Sequence, residues 1–422
     1  MQNRFLALGD KMKCILTLIV FVCAFALCVA RREFSNVKLC NEHGPAETCQ
    51  SLGIEQKLTH VGVMISTSMF DGIYIANSLR RLFTEAAPLQ MYPPDYAVCT
   101  VTLFATSQSE RVLALTARHC VESKARISTR RLFVACCSSS QTRMQGYFKV
   151  EKVVYNHKSA LEQSDDQFSR AYEAATDVAI LVLGQLRPTT AAPPNRSTNE
   201  MIRQLQSAAP EIDMKQKTSS PGELQQTVRW RGRYLGSGWG NVHVEVETEH
   251  YPRAFYGAPP GSRNRDPLRC QFQRVIFVDP GIGALITVEA EEAQQTKTPA
   301  SCGRGDSGGP LALADEPRKI VGIASRLLPN WGHGKHRPVT QYVGLYNPHP
   351  CIMEMMCKLF MDVLWHRHRY ANPHEGWAWV HEHPPAGGMS LYLMCEQYFT
   401  PGSGAITRDQ VPGGCHFNDI DD

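Results

Sequence analysis

A serine hydroxyl does not attack a carbonyl until a base takes its proton and N–H groups stabilise the oxyanion that forms. The run Ser301-Cys302-Gly303-Arg304-Gly305-Asp306-Ser307-Gly308-Gly309-Pro310-Leu311 holds such a hydroxyl in a glycine-bracketed turn. Glycine permits a sharp backbone there, so that main-chain N–H groups can converge on a reacting oxygen. Two distant segments offer what Ser307 lacks. Val112–Val121 is an apolar, strand-like run that ends in His119 and Cys120, and Thr176–Leu183 sets Asp177 at the head of a second apolar run. Imidazole is a base of suitable strength, and a carboxylate can orient it and stabilise its charged form. Together the three groups point to acyl transfer.

The order His119, Asp177, Ser307, within T-A-R-H-C, D-V-A-I-L and G-D-S-G-G-P, resembles the chymotrypsin/trypsin-like family of secreted serine proteases. The family's motifs read T-A-A-H-C, D-I-A-L-L and G-D-S-G-G-P, so only Arg118 departs in chemical character. Gly238-Trp239-Gly240 resembles its G-W-G, and Lys319–Arg326 resembles its V-G-I-x-S-W cleft strand. The resemblance implies an all-β fold: two six-stranded antiparallel β-barrels with a C-terminal helix, here within Pro350–Trp365. It implies peptide-bond hydrolysis with His119, Asp177 and Ser307 as the triad and the N–H groups of Gly305 and Ser307 as the oxyanion hole. It implies a disulfide between Cys99 and Cys120. Cys302 lacks its usual partner, and Cys270 or Cys351 can serve instead.

For substrate binding, the resemblance puts Ala300 at the base of the primary pocket, Ser325 on the cleft strand, and Leu327 and Thr340 on the pocket walls. An alanine floor has no carboxylate for a Lys or Arg side chain, so a small apolar preference is expected rather than a trypsin-like one. No cofactor or metal is called for. The implied partners are protein or peptide substrates and protease inhibitors. In the family an activating cut frees an ammonium that pairs with the acid before the serine, here Asp306. The nearest start, Ile75-Ala76-Asn77-Ser78, follows Tyr74 and lacks the family's glycines.

Two other readings stand beside this one. Gly305–Gly309 also fits the G-x-S-x-G elbow of α/β-hydrolases, but those enzymes run serine, acid, histidine along the chain, and here both partners precede the serine. A catalytically impaired, protease-like binding protein is the other alternative. The irregular activation segment and one extra residue between Cys302 and Ser307 keep it open.

The elements that must position these groups set the organisation of the chain. Its 422 residues exceed one protease domain, and 43% hydrophobic with 20% charged residues is ordinary for a globular protein. A net charge of +4 gives no argument for nucleic acid or an anionic membrane. Lys11 and Lys13 before the apolar run Cys14–Ala30 match a secretory signal peptide over residues 1–30. Three of the 15 cysteines (Cys14, Cys23, Cys28) fall in it, and the even remainder favours disulfides in a secreted, extracellular protein.

Residues 31–74 are expected to form a propeptide or N-terminal segment, and 75–365 the protease domain. From Tyr96 onward the pattern is short strands and turns. Arg187–Thr227, rich in Pro, Ser, Thr and Gln, is expected to be an exposed loop carrying the sequon Asn195-Arg196-Ser197. Residues 366–422 have no family counterpart and hold His366, His368, His374, His381 and His383 among Trp377 and Trp379. That spacing is irregular for a metal site, so a solvated or barrel-packed extension is expected.

Overall fold

A computed structural model describes residues 37–39, 55–66, 96–105, 112–125, 129, 132–137, 145–156, 174–188, 197–207, 210–212, 233–239, 244–246, 268–278, 285–290, 305–331, 337–345, 349, 351–357, 395, 415 and 417–421. The leader, Ile75, Asn195, Ala300, Cys302 and the histidines of 366–383 lie outside the described residues.

Among the described elements are sixteen strands, two α-helices and a short 3-10 helix at Glu55–Leu58. They begin with β1 (Val37–Leu39), β2 (Val61–Ser66), β3 (Tyr96–Ala105), β4 (Val112–Thr116) and α1 (Arg118–Ala125). Then follow β5 (Leu132–Cys136), β6 (Gly146–Asn156), β7 (Ala179–Pro188), α2 (Thr198–Ser207) and β8 (Glu211–Ile212). The later strands are β9 (Arg233–Gly238), β10 (Val244–Val246), β11 (Arg269–Val278), β12 (Leu285–Ala290), β13 (Pro310–Leu313), β14 (Lys319–Trp331), β15 (Arg337–Gly344) and β16 (Phe417–Asp421). Residues 351–357 are also helical. Among the described residues no helix is long and apolar enough to cross a membrane.

The first sheet runs β16-β6-β5-β2-β3-β4-β7, and β6 also pairs with β7. Strands β2 to β7 therefore close into a six-stranded antiparallel barrel, with β16 added outside it. A period of two explains why its strands are so apolar. In β4, Val112 and Ala114 point into the barrel while Leu113 and Leu115 point toward the second sheet. In β7, Ala179, Leu181 and Leu183 point in, whereas Ile180 and Val182 join the other cluster. Both faces are covered, so the alternating polar face of a half-solvated strand is missing. Each buried Val, Leu or Ile contributes roughly 1.5–3 kcal/mol.

The second sheet runs β13-β9-β11-β12-β15-β14-β8, and β13 pairs with both β9 and β14. The pairs are antiparallel except β8 with β14, which is parallel. Between the two sheets lies a shared core. Phe104, Leu113, Leu115, Ile180 and Val182 meet Ile212, Ile320, Ile323 and Val343, and the helical residues Ile352 and Met356 join them. A separate ribbon pairs β1 with β10.

Two expectations are corrected. The segment 31–74 is not wholly outside the domain: β2 pairs with β3 and β5, and Val61, Val63 and Ile65 are buried, so the barrel begins before residue 75. The span 187–227 is not all loop, because α2 buries Met201 and Leu205 against the barrel interior. Ser197 caps it. Its Oγ accepts from the Glu200 N–H at 3.2 Å, and Glu200 Oε2 accepts from the Ser197 N–H at 3.0 Å, a reciprocal capping box. The extension beyond 365 is tied into the fold by β16, which pairs with β6, and by disulfides Cys351–Cys415 and Cys357–Cys395. That pairing takes Cys351 away from Cys302. Cys270 is disulfide-bonded too, with a partner outside the described residues.

Candidate active site

His119 sits in the first turn of α1, where the chain leaves β4 through the fully buried Ala117. Asp177 lies just ahead of β7, the strand that pairs with β4. A single hairpin-like pairing, Thr116 opposite Ala179, therefore sets base and acid side by side. The Asp177 carboxylate receives the histidine twice: Oδ1 accepts from the His119 backbone N–H at 3.0 Å, and Oδ2 pairs with ring Nδ1 at 2.8 Å. The far ring nitrogen, Nε2, stands 3.1 Å from Ser307 Oγ. The three side chains named from the sequence are thus brought together, from positions separated by 58 and 188 residues.

The fourth group is Ser325. The sequence placed it among the substrate-binding residues, but its hydroxyl points inward and donates to Asp177 Oδ2 at 2.5 Å. Its carbonyl accepts from Ser307 Oγ at 3.3 Å. The pairing register of β14 against β15 shifts between Ala324 and Arg326, a bulge centred on this serine. Such bulges bend a strand and re-aim a side chain beside a site.

Exposure divides the group sensibly: the Asp177 side chain is 10% exposed and the His119 side chain 49%. The imidazole is reachable from solvent while its carboxylate partner is held in the protein. Burial pulls the His119 pKa down, the largest single influence. The Asp177 hydrogen bond and charge outweigh it, and the net shift is upward from 6.5. Nearby Arg118 opposes them by repulsion and Glu122 assists. Arg118, the one chemically odd residue in the histidine motif, is 2% exposed, and its Nη1 donates to the Asn156 carbonyl at 3.3 Å.

The turn that carries Ser307 is held by left-handed glycines, Gly305 at φ 97° and Gly308 at φ 89°. A Cβ at Gly308 would run into the Thr100 carbonyl and Thr116 Oγ1, and would reach the Thr116 Cα at 2.9 Å. Among the described residues no acceptor is found for the N–H groups of Gly305 and Ser307. Asp306 lies against Gly238, where a Cβ would meet its Oδ1.

Cys99 and Cys120 are joined as a disulfide, which pins the start of α1 to β3. Their sulfurs and the His119 ring lie close enough to suggest a metal cluster, but bridged sulfurs offer no thiolate to an ion. The pocket residues are less assembled. Ala300 is outside the described residues, while Thr340 is buried at 2% exposure and stands opposite Leu327 across β14 and β15.

Sequence reasoning missed the threonines. Thr100, Thr102 and Thr116 are each fully buried and hydrogen-bond around the Ser307 turn. Their signal was present in Cys99-Thr100-Val101-Thr102-Leu103. Cys99, Val101 and Leu103 fill the barrel, so Thr100 and Thr102 must face the other way, into protein rather than water. A second omission is the disulfide joining adjacent Cys136 and Cys137, the latter at φ 73°.

No protein-family model matches the chain, and no curated protein matches it. Among solved structures it is similar to one titled "atomic resolution structure of HBP". The likeness spans 69% of this chain and 88% of that one at 11% identity, with a TM-score of 0.34. So slight a likeness carries no argument about chemistry, which rests on the geometry above.

Proposed function

We propose that the chain is a secreted serine endopeptidase of the chymotrypsin-like kind, in which the second sheet forms a second six-stranded barrel through the two-sided pairing of β13. The observation that carries this reading is the unbroken hydrogen-bonded series from the Ser325 hydroxyl through Asp177 and His119 to Ser307 Oγ. His119 Nε2 takes the Ser307 proton as Oγ bonds to the substrate carbonyl carbon. The N–H groups of Gly305 and Ser307 receive the oxyanion. The C–N bond then breaks, with the proton passing from Nε2 to the leaving amine. Water attacks the acyl-enzyme by the same route in reverse, restoring the Ser307 hydroxyl.

The disulfides Cys99–Cys120 and Cys351–Cys415 support a life in an oxidising compartment, reached through the leader at residues 1–30. The substrates are proteins or peptides with a small apolar residue at the cleaved position, and protease inhibitors are the natural antagonists. The test is labelling of the purified protein by a fluorophosphonate probe, with hydrolysis of a peptide library beside it. Labelling lost in Ser307→Ala and in His119→Ala is the expected result. An inert wild-type chain sinks the proposal in favour of a protease-like binding protein. Cleavage dominated by Lys or Arg sinks only the specificity.

A further inference from the structure

Thr100 is fully buried in β3, on the opposite side of the barrel wall from Cys99 and Val101, and it makes four hydrogen bonds at once. Its hydroxyl donates to the Gly305 carbonyl at 2.8 Å and accepts the Trp239 N–H at 2.9 Å. Its backbone N–H donates to the Ser307 carbonyl at 3.0 Å, and its own carbonyl accepts the Thr116 hydroxyl at 3.0 Å. The two carbonyls it holds, those of Gly305 and Ser307, flank the peptide unit that carries the Ser307 N–H. The carbonyl of that unit, on Asp306, accepts the Gly309 N–H at 2.9 Å, so the unit cannot turn over without losing this bond, and the two Thr100 contacts fix the units on either side of it.

The grip has further support. Thr102 Oγ1 donates to the Gly308 carbonyl at 3.2 Å, and the Gly308 N–H donates to the Ala324 carbonyl at 2.7 Å. Gly308 itself is packed so closely onto Thr100 and Thr116 that no side chain fits there. The nucleophile turn belongs to the second sheet by sequence, yet much of what holds it in place comes from the first. Catalytic donors are effective when their direction is fixed before the charge develops, because no reorganisation is then needed during the reaction.

We infer that Thr100 is a positioning residue, whose side-chain hydroxyl fixes the Ser307 turn so that its N–H groups face the developing oxyanion. This rests on the endopeptidase reading but adds a residue and a role to it. The hydroxyl acts through the main chain and touches no substrate. Its removal should therefore weaken transition-state stabilisation and leave ground-state substrate binding largely alone.

The experiment compares full-length wild type with Thr100→Val and Thr100→Ser. It measures kcat and KM on one peptide, affinity for a peptide boronate that mimics the tetrahedral intermediate, and near-UV circular dichroism to report folding. Valine keeps the shape and removes both side-chain hydrogen bonds, and serine keeps both bonds while removing a methyl group. In Thr100→Val, kcat is expected to fall about 100-fold, in line with the effect of a small misplacement at a reacting centre. KM should stay within about threefold, and boronate affinity should fall with kcat. The pH at which activity rises should not move, because His119 and Asp177 are untouched. Thr100→Ser should recover kcat to within about threefold of wild type.

A folded Thr100→Val with wild-type kcat overturns the inference while leaving the endopeptidase reading intact. So does a folded Thr100→Ser that loses tenfold or more in kcat, which keeps the test decisive even if the valine variant fails to fold. A wild-type chain that neither labels with fluorophosphonate nor cleaves peptide overturns both.

Discussion

Asp177 accepts three hydrogen bonds: the backbone N–H and the ring of His119, and the hydroxyl of Ser325. Replacing it by asparagine keeps the shape but reverses the hydrogen-bonding sense at one position, favouring the wrong histidine tautomer. A loss in kcat of about 10⁴-fold is expected, as at the equivalent step of the Ser-His-Asp template. The same change removes the Asp177 hydrogen bond and charge, the larger influences that raise the His119 pKa, and leaves the lowering effect of burial against the lesser help of Glu122. Nuclear magnetic resonance titration should therefore place His119 lower in Asp177→Asn than in wild type. In wild type, kcat/KM should climb with pH through a value above 6.5, since the proposed mechanism uses the neutral ring as base and its proton is held more tightly than usual. At this scale the sequence singled out one serine, one histidine and one aspartate, each in a distinctive neighbourhood, and the structure brings the three within hydrogen-bond reach. It was silent on Thr100, because a threonine in a strand is ordinary until its partners are seen. Ser325 was visible as a cleft-strand residue, but only the bulge at Ala324–Arg326 and its bond to Asp177 show that its hydroxyl turns inward.

Elements carry these side chains to one place by register. Thr116 opposite Ala179 is the pairing that matters most, because it fixes the spacing of His119 and Asp177. Apolar runs at β4 and β7 announced strands correctly, and their continuity reflects burial on both faces rather than helix. By contrast, α2 lay in a stretch whose Pro, Ser and Thr content suggested only loop. Its signature, Ser197 followed by Glu200 and then Met201 and Leu205, is the capping box with a short buried stripe. Ser197→Ala should lower stability by about 1 kcal/mol in denaturant unfolding without altering probe labelling. Gly308→Ala is expected to be far harsher. It places a Cβ against Thr100 and Thr116 in a left-handed conformation, so loss of labelling together with a lowered melting temperature is the anticipated outcome.

For the whole molecule, the helical stretch 351–357 couples stability to acidity. His349 is buried, its pKa is lowered to about 4 by that burial, and its Nδ1 accepts the Cys351 N–H at 3.2 Å, which requires an unprotonated nitrogen. An unfolded histidine titrates near 6.5. The stabilisation is therefore complete above about 6.5 and declines as the pH falls through about 4, by roughly 1.4 kcal/mol for each pKa unit of difference. Urea unfolding at pH 7 and pH 5 should show this decline, and His349→Gln should flatten it. The placement of the tail could not be read from sequence, because strand pairing and bridge formation join residues far apart and no local pattern records the partner. Cys351→Ser combined with Cys415→Ser is expected to cost about 2–5 kcal/mol.

β16 joins β6 only after the chain has passed through every strand of the second sheet. During synthesis, Lys152–Asn156 must wait with one flank uncovered until Phe417–Asp421 emerges from the ribosome. An exposed flank of that kind recruits foreign chains. Nascent protein halted before residue 417 should thus be the form that clumps or summons chaperones, and a chain that carries Phe417–Asp421 should be its own remedy.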